Sequence, residues 1–398
     1  MKKVSISKIV EKPVSGEWGN EAESETDGTP VIRNTNFSDD GRIDLHDVAF
    51  REIPDRKIEK KRLKPGDIII EKSGGSKNQP VGRVVYFDID DDKNYLFSNF
   101  TSAIRPKKDV EPKYVHYGLL HSYMRGGSEL FQNKTTGIRN LQLKRYLDKV
   151  KIPLPSLSEQ KAIVAKLDRA QRLIDIDKEM LSKYDNLIQS VFLEMFGDPI
   201  TNSKGWKVGS ITDYGSLKNG LNYSSNESGT KIRSLGVGDF GVLSKIDDIR
   251  AISRIELDEA PPENYLLKDN DLVFVRSNGN KELVGRCLVI YPGNEDVTFS
   301  GFCIRYRPKS SSINSTYLSH LFRVKSFRNY MLKDGRGANI QNINQKLLSQ
   351  LDIPLPDISK QNQFAKNVEK LEGQILKTQT SRKKSEELFS SLVQGAFG

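Results

Sequence analysis

Ile152-Pro153-Leu154-Pro155 opens a stretch that closes on Met195-Phe196-Gly197, and the same punctuation returns 201 positions later, from Ile353-Pro354-Leu355-Pro356 to Ala396-Phe397-Gly398. The two copies align without a gap, setting Ser158 against Ser359, Gln160 against Gln361, Ile174 against Ile375, Leu187 against Leu388 and Phe196 against Phe397. Proline breaks helices and restricts the residue before it, so each copy starts a new element after its prolines. In the first, Ile163, Leu167, Ala170, Ile174, Asp177, Leu181, Tyr184, Ile188, Val191 and Met195 alternate spacings of four and three, a mostly apolar heptad seam. The second places Phe364, Val368, Leu371, Ile375, Thr378, Arg382, Ser385, Phe389, Leu392 and Ala396 at the same steps, with a polar middle. Ser158 and Ser359 are the expected N-caps, although neither has the acidic residue three places on that completes a capping box. Ser158 to Phe196 is 39 residues, a helix of roughly 58 Å. A lone helix of that length has no core, so the two copies are expected to pack on each other, antiparallel.

Working outward, a chain of 398 residues exceeds what one hydrophobic core usually supports, and the repeat implies two domains. No apolar run approaches the length of a membrane span and no secretory leader is visible, which points to a cytoplasmic protein. Cys287 and Cys303 are the only cysteines; they are too few for a disulfide framework or a four-cysteine zinc site and read as buried thiols on strands. The formal charge is +10 and the pI about 9.2, which hints at a polyanionic partner. The two helical stretches hold six cations against seven anions and seven against four, leaving +8 on the segments that precede them. Any nucleic acid is therefore expected on those segments.

The two segments share an order of elements. Lys64-Pro65-Gly66-Asp67-Ile68-Ile69-Ile70 reads as a turn and a buried strand, followed by Ser73-Gly74-Gly75-Ser76-Lys77; Lys268-Asp269-Asn270-Asp271-Leu272-Val273-Phe274 and Arg276-Ser277-Asn278-Gly279-Asn280-Lys281 repeat it. Val81-Gly82-Arg83 is answered by Val284-Gly285-Arg286, and Ser98-Asn99-Phe100 by Ser300-Gly301-Phe302. Tyr114 to Leu130 reads as a helix interrupted near Gly126-Gly127, and the polar stretch 134–140 as a loop, matched by 333–339. The order is kept while most surface residues differ, as expected of two readers of different ligands on one scaffold.

Catalytic signals are missing. There is no phosphate loop and no His-Glu-x-x-His, the four histidines lack companions at metal spacing, and Gly236-Val237-Gly238 has no third glycine. Pro261-Pro262 lacks the flanking residues with which an amino-methyltransferase meets a flipped base. No catalytic residue, metal ligand or cofactor site is assigned. What remains is a set of polar, glycine-bearing loops. Arg83 and Arg286 have the fork that pairs with guanine, and Asn140, Asn278, Asn280, Asn339 and Gln341 the amide that pairs with adenine. Lys77, Lys134, Lys281 and Lys333 suit phosphates; Arg139, Arg276 and Arg336 complete the DNA-binding candidates. For any one of them a solvated loop residue is the ordinary alternative, and Arg83 and Arg286 serve equally well as scaffold.

With these residues in place, the chain resembles the specificity subunit of type I restriction-modification systems over essentially its whole length, through the doubled Ile-Pro-Leu-Pro, the Ser-x-Gln that follows it and the Phe-Gly close. The resemblance implies an α+β fold in which two tandem pseudo-symmetric α/β target-recognition domains, 1–152 and 198–353, are separated by two long antiparallel helices, 153–197 and 354–398, forming a coiled coil. It implies a non-catalytic reader of double-stranded DNA with a bipartite target, one half per domain. Two methyltransferase subunits and the motor-endonuclease subunits are the implied partners, carrying S-adenosylmethionine, ATP and Mg2+ for adenine N6 methylation and restriction. A helix of roughly 58 Å compares with roughly 34 to 36 Å per DNA turn, so domains mounted on it can address half-sites about one turn apart. The alternatives from other classes are a nuclease or methyltransferase fused to a reader, and a paired-domain protein scaffold.

Overall fold

The computed structural model describes residues 2–76, 79–135, 138–224, 226–241, 244–280, 282–333 and 342–398, without the side chains of Lys134, Thr135 and Lys333. The chain forms two compact units, Met1–Ile176 with Arg382–Gly398, and Asp177–Ser381.

In the first unit the strand Ile68–Glu71 lies between Thr101–Ile104 and Val84–Tyr86, with Val14–Ser15 beyond Thr101–Ile104, in one antiparallel sheet. Both faces are covered, so an unbroken β-branched run suits the strand better than alternation. Ile68, Ile70, Val84 and Ile104 pack with Tyr114, Val115 and Leu119 of the helix Pro112–Met124. Ile69, Val85 and Ala103 point the other way, toward Phe37, Phe87 and Phe97. Each fully buried branched aliphatic side chain contributes about 1.5–3 kcal/mol. A second four-stranded sheet runs Asn20–Glu21, Ala49–Glu52, Thr29–Ile32, Leu96–Phe97, its last pair parallel.

The second unit repeats the arrangement with longer strands. Asp271–Val275 is buried along its whole length between Cys303–Pro308 and Cys287–Ile290. Leu272 and Phe274 face one core, Val273 and Val275 the other. Cys287 and Cys303 are free and buried, and burial pushes each thiol up to about 12. Burial lowers their reactivity and leaves them as packing groups.

The long helices run Leu157–Phe196 and Ile358–Phe397. In the first unit Val164 and Leu167 share a core with Val393 and Phe397; in the second, Phe192 and Phe196 meet Phe364, with ring centroids 5.4 and 5.6 Å apart. The start of each helix meets the end of the other, so they pack antiparallel. Each helix is also tied to its unit by polar contacts: Arg42 donates to Asp175 at 2.8 and 2.9 Å, and the Ser244 N–H to Glu372 at 3.0 Å. In the polar middle of the second helix, Ser385 is buried and Arg382 pairs with Glu386 at 2.8 Å.

Two local expectations are corrected. The first long helix is capped two residues earlier than expected: Ser156 donates its N–H and Oγ to Glu159 at 2.9 and 2.7 Å. With the Glu159 N–H donating back to Ser156 Oγ at 3.4 Å, this is a capping box, and Ser158 lies inside the first turn. The second helix starts at Ile358, so Ser359 is inside as well. The stretch expected as a polar loop is a hairpin, Gln132–Thr135 paired with Ile138–Leu141. Its strands lack apolar alternation because Ile138–Leu141 is held by hydrogen bonds between Ser73–Gly75 and Gln132–Thr135, with Leu141 buried in the core.

Candidate nucleic-acid interface

In each unit three segments meet at the backbone of one basic residue. Where the strand Ile68–Glu71 ends, Lys72 and Ser73 both donate their N–H groups to Phe100 O, at 2.9 and 3.1 Å, and Lys72 O accepts from Leu141 N at 2.8 Å. This binds the glycine loop, the Ser98–Thr101 turn and the hairpin together. In the second unit Arg276 and Ser277 donate to Phe302 O at 2.8 and 3.4 Å, and Arg276 O accepts from Ile343 N at 2.9 Å. Ser277 bridges Asn342 where Ser73 pairs with Asn140. Burial first, and then the charge of Lys61, hold the Lys72 ammonium below the usual lysine range.

The turns leading into these strands are built alike. Asp67 accepts from Lys64 N at 2.9 Å and takes the Arg105 fork at 2.7 and 2.6 Å. Asp271 accepts from Lys268 N at 2.7 Å and takes the Arg307 fork at 2.8 and 2.7 Å. Gly66 at φ +98° and Asn270 at φ +71° hold the same turn position, where glycine and asparagine are the residues that tolerate a left-handed backbone.

Each entry into a long helix is locked by the glutamine of the Ser-x-Gln pattern. Gln160 accepts from Glu111 N at 3.0 Å and donates to Pro155 O at 2.9 Å. Gln361 accepts from Asn314 N at 2.9 Å and donates to Pro356 O at 2.7 Å and Ser312 O at 3.0 Å. Tyr114 and Tyr317 donate to Pro153 O and Pro354 O at 3.0 and 2.9 Å. The repeated motif is therefore a joint between helix and recognition segment.

The sequence candidates separate. Arg276 stands at the meeting point, its Nη1 3.3 Å from Gly301 O. Asn278 Oδ1 accepts from Asn280 N at 2.7 Å and Asn280 Oδ1 from Glu282 N at 3.0 Å, so both oxygens shape the turn. Asn140 and Arg139 lie on the hairpin strand, with Arg139 Nη1 3.5 Å from Gln132 Oε1. Arg83 is engaged as scaffold: Glu71, 2% exposed, takes its Nε and Nη2 at 3.0 and 3.1 Å, while Asn34 O and Phe37 O accept at 3.1 and 3.4 Å. Arg286 occupies the matching backbone position and is exposed. It lines a cleft of about 890 Å³ within the second unit, with Leu181, Asp185, Arg323, Lys325 and Arg328. Lys77, Lys281, Arg336, Asn339 and Gln341 lie outside the described residues, as do the side chains of Lys134 and Lys333. Sequence reasoning passed over Lys72, although its place opposite Arg276 in the repeat was the signal.

Among the described residues no group of His, Cys, Asp and Glu is arranged to hold a metal. His116 is buried against Tyr86 and Tyr117, and burial, then Lys113, push its imidazole down to about 4. His320 is likewise buried and depressed, beside Phe364. Both are neutral packing groups.

The sequence profile of the type I restriction modification DNA specificity domain matches residues 1–183 and again 203–386. The StySPI specificity subunit of a type I restriction enzyme from Salmonella potsdam is 29% identical over 367 residues, covering 87% of this chain and 75% of that protein. The EcoKI specificity subunit of Escherichia coli (strain K12) is 26% identical with the same coverage. Among solved structures, the S subunit of a type I restriction-modification system from M. genitalium is similar in fold, with TM-score 0.54 at 17% identity, covering all of this chain and 96% of that one. A chain from a structure of type I R-M complex assembly and conformational transition gives TM-score 0.55 at 17% identity, covering all of this chain and 97% of that one.

Proposed function

Because the chain belongs to the type I restriction-modification DNA specificity family, and so serves DNA recognition and not catalysis, we propose that each of its units reads one half of a bipartite duplex target. The observation that carries this reading is the duplicated junction at Lys72 and Arg276, where three segments are hydrogen-bonded at the backbone of one basic residue in each unit. A rigid junction lets the side chains of the loops meet base edges in a fixed register, while flanking lysines and arginines seat the phosphates.

The methyltransferase subunits, expected as two copies, dock on the long helices. Exposed Leu173 and Ile176 in the first unit and Met180 and Leu187 in the second support that docking, since apolar side chains at helical spacing otherwise gain nothing by facing water. S-adenosylmethionine, ATP and Mg2+ belong to the methyltransferase and motor-endonuclease partners, where a flipped adenine is methylated at N6. Among the described residues no helix is long and apolar enough to cross a membrane, which suits work on chromosomal DNA in the cytoplasm.

The test is to express the chain with a methyltransferase partner in a host free of adenine methylation and to sequence the methylated bases. A split motif with methylated adenine in both halves is expected, and replacing residues 200–352 by those of another family member changes one half only. A contiguous motif, or a change in both halves, refutes the reading.

A further inference from the structure

Phe100 and Phe302 occupy the same place in the two units, and neither side chain is used in packing: 52% of Phe100 and 63% of Phe302 is exposed. Their backbones, by contrast, are fixed. Thr101 donates its N–H and Oγ1 to Ser98 O at 2.9 and 2.8 Å. Cys303 N donates to Ser300 O at 2.8 Å, and Phe302 N to Ser300 Oγ at 3.3 Å. Each phenylalanine carbonyl accepts two further N–H groups from the glycine loop. Behind the turns the chain approaches so closely that a Cβ on Gly16 would fall 2.0 Å from Ser98 O, and one on Gly220 2.1 Å from Ser300 O. A rigid turn that twice presents an apolar ring to solvent is not explained by folding.

A basic residue is hydrogen-bonded through its backbone to each phenylalanine. The Arg276 guanidinium lies 3.3 Å from Gly301 O, next to Phe302. Lys72, in the matching position of the first unit, is bonded through its backbone to Phe100 and has its ammonium 3.2 Å from Ser15 Oγ. In the major groove thymine presents an acceptor, O4, beside a methyl group, and no other base offers that pair. A donor beside an apolar surface is its complement.

We propose that Phe100 and Phe302 are thymine readers, one per unit, each setting a ring edge against a thymine methyl with Lys72 or Arg276 as the adjoining donor. The proposal rests on the DNA-recognition reading and adds to it a base identity. It is a base-edge contact and not a wedge between base pairs. Phe100 is 52% and Phe302 63% exposed, which leaves an edge to offer, whereas a wedge pushes a whole ring plane into the stack. Each half of an adenine-methylated target contains an A·T pair, so each half has a thymine to read.

The test uses the complex of the chain with its methyltransferase partner and a duplex of about 30 base pairs carrying the sequenced target, with a nonspecific duplex as control. Thymines are replaced one at a time by deoxyuridine, which removes only the methyl. At one thymine in one half, deoxyuridine is expected to weaken wild-type binding about fourfold, the value of one buried methyl. The same replacement has no effect on Phe302→Ala, while Phe302→Leu retains part of it. Phe100→Ala behaves in the same way toward a thymine in the other half. If the wild-type complex does not prefer the target duplex, the DNA-recognition reading itself fails. If it does, and no deoxyuridine position separates wild type from either alanine variant, only the thymine assignment is overturned. A deoxyuridine effect in one half that both variants abolish equally also overturns it.

Discussion

Arg83 and Arg286 follow the same Val-Gly step, and their carbonyls accept from Glu71 N and Val275 N at 2.9 Å each, yet one side chain is consumed and the other is exposed. The difference lies across the strand. Glu71 is a buried carboxylate that takes the Arg83 fork, whereas the matching Val275 is a buried hydrocarbon that offers Arg286 nothing. A residue shared by two repeats thus shares its backbone role, while its side-chain chemistry is set by the neighbouring strand. In the first unit a buried ion pair joins the strand to the Asn34 and Phe37 backbone. In the second, the exposed Arg286 faces a cleft with Arg323, Lys325 and Arg328 against Asp185.

Giving the first unit the second unit's residue removes the carboxylate partner of Arg83. Glu71→Val leaves Arg83, 13% exposed in its side chain, with carbonyl partners alone. Removing one member of a buried pair costs about 3–5 kcal/mol, and the retained bonds to Asn34 O and Phe37 O place this case near 3 kcal/mol. The double variant Glu71→Val, Arg83→Met recovers most of the loss, because no uncompensated charge remains. Urea unfolding followed on both variants checks this through the midpoint at constant m. A loss under about 1 kcal/mol in Glu71→Val would mean the pair behaves as a surface one.

The duplicated helices, the strands at Ile68 and Leu272 and the matched order of elements were legible because periodicity and repetition are properties of the chain itself. The cap at Ser156 was also written in the sequence as Ser-x-x-Glu, but two serines in four residues compete for it, and only the hydrogen bonds to Glu159 decide between them. The strands Gln132–Thr135 and Ile138–Leu141 were not legible, since polar strands held by neighbouring backbone carry no alternation. Phe100 and Phe302 could be aligned with each other, but an apolar residue ahead of a strand reads as core, and exposure depends on what the rest of the chain leaves uncovered. Base contact and scaffold stayed open for Arg83 in the sequence because its partner Glu71, twelve residues earlier, is met only across the sheet.

Where the two units agree, matching substitutions are expected to cost the same. Gln160→Ala and Gln361→Ala each strand a part-buried N–H, of Glu111 or Asn314, and the carbonyl of Pro155 or Pro356. Each is expected to cost about 1–3 kcal/mol, with Gln361→Ala the larger because Ser312 O loses its partner too. Thermal or urea unfolding of the two variants measures this. A loss in one unit without the other would show that the joints are alike in geometry and unlike in energy.

The smallest expected effect sharpens the role of Arg286. Its guanidinium is exposed, and no side-chain hydrogen bond within the described residues fixes its direction, so Arg286→Ala should change stability by less than about 0.5 kcal/mol. Bidentate reading of guanine needs a fork held in register, and Arg286 lacks the carboxylate that orients Arg83. A cation free to reorient acts on phosphate. In the complex with the methyltransferase partner, Arg286→Ala should therefore lower affinity for target and nonspecific duplex alike and reduce the slope of log affinity against log salt by about 1, with Arg286→Lys close to wild type. Loss of discrimination at a single G·C pair, reproduced by Arg286→Lys, would show instead that DNA binding supplies the orientation that Glu71 supplies in the other unit, since lysine keeps the charge and loses the fork.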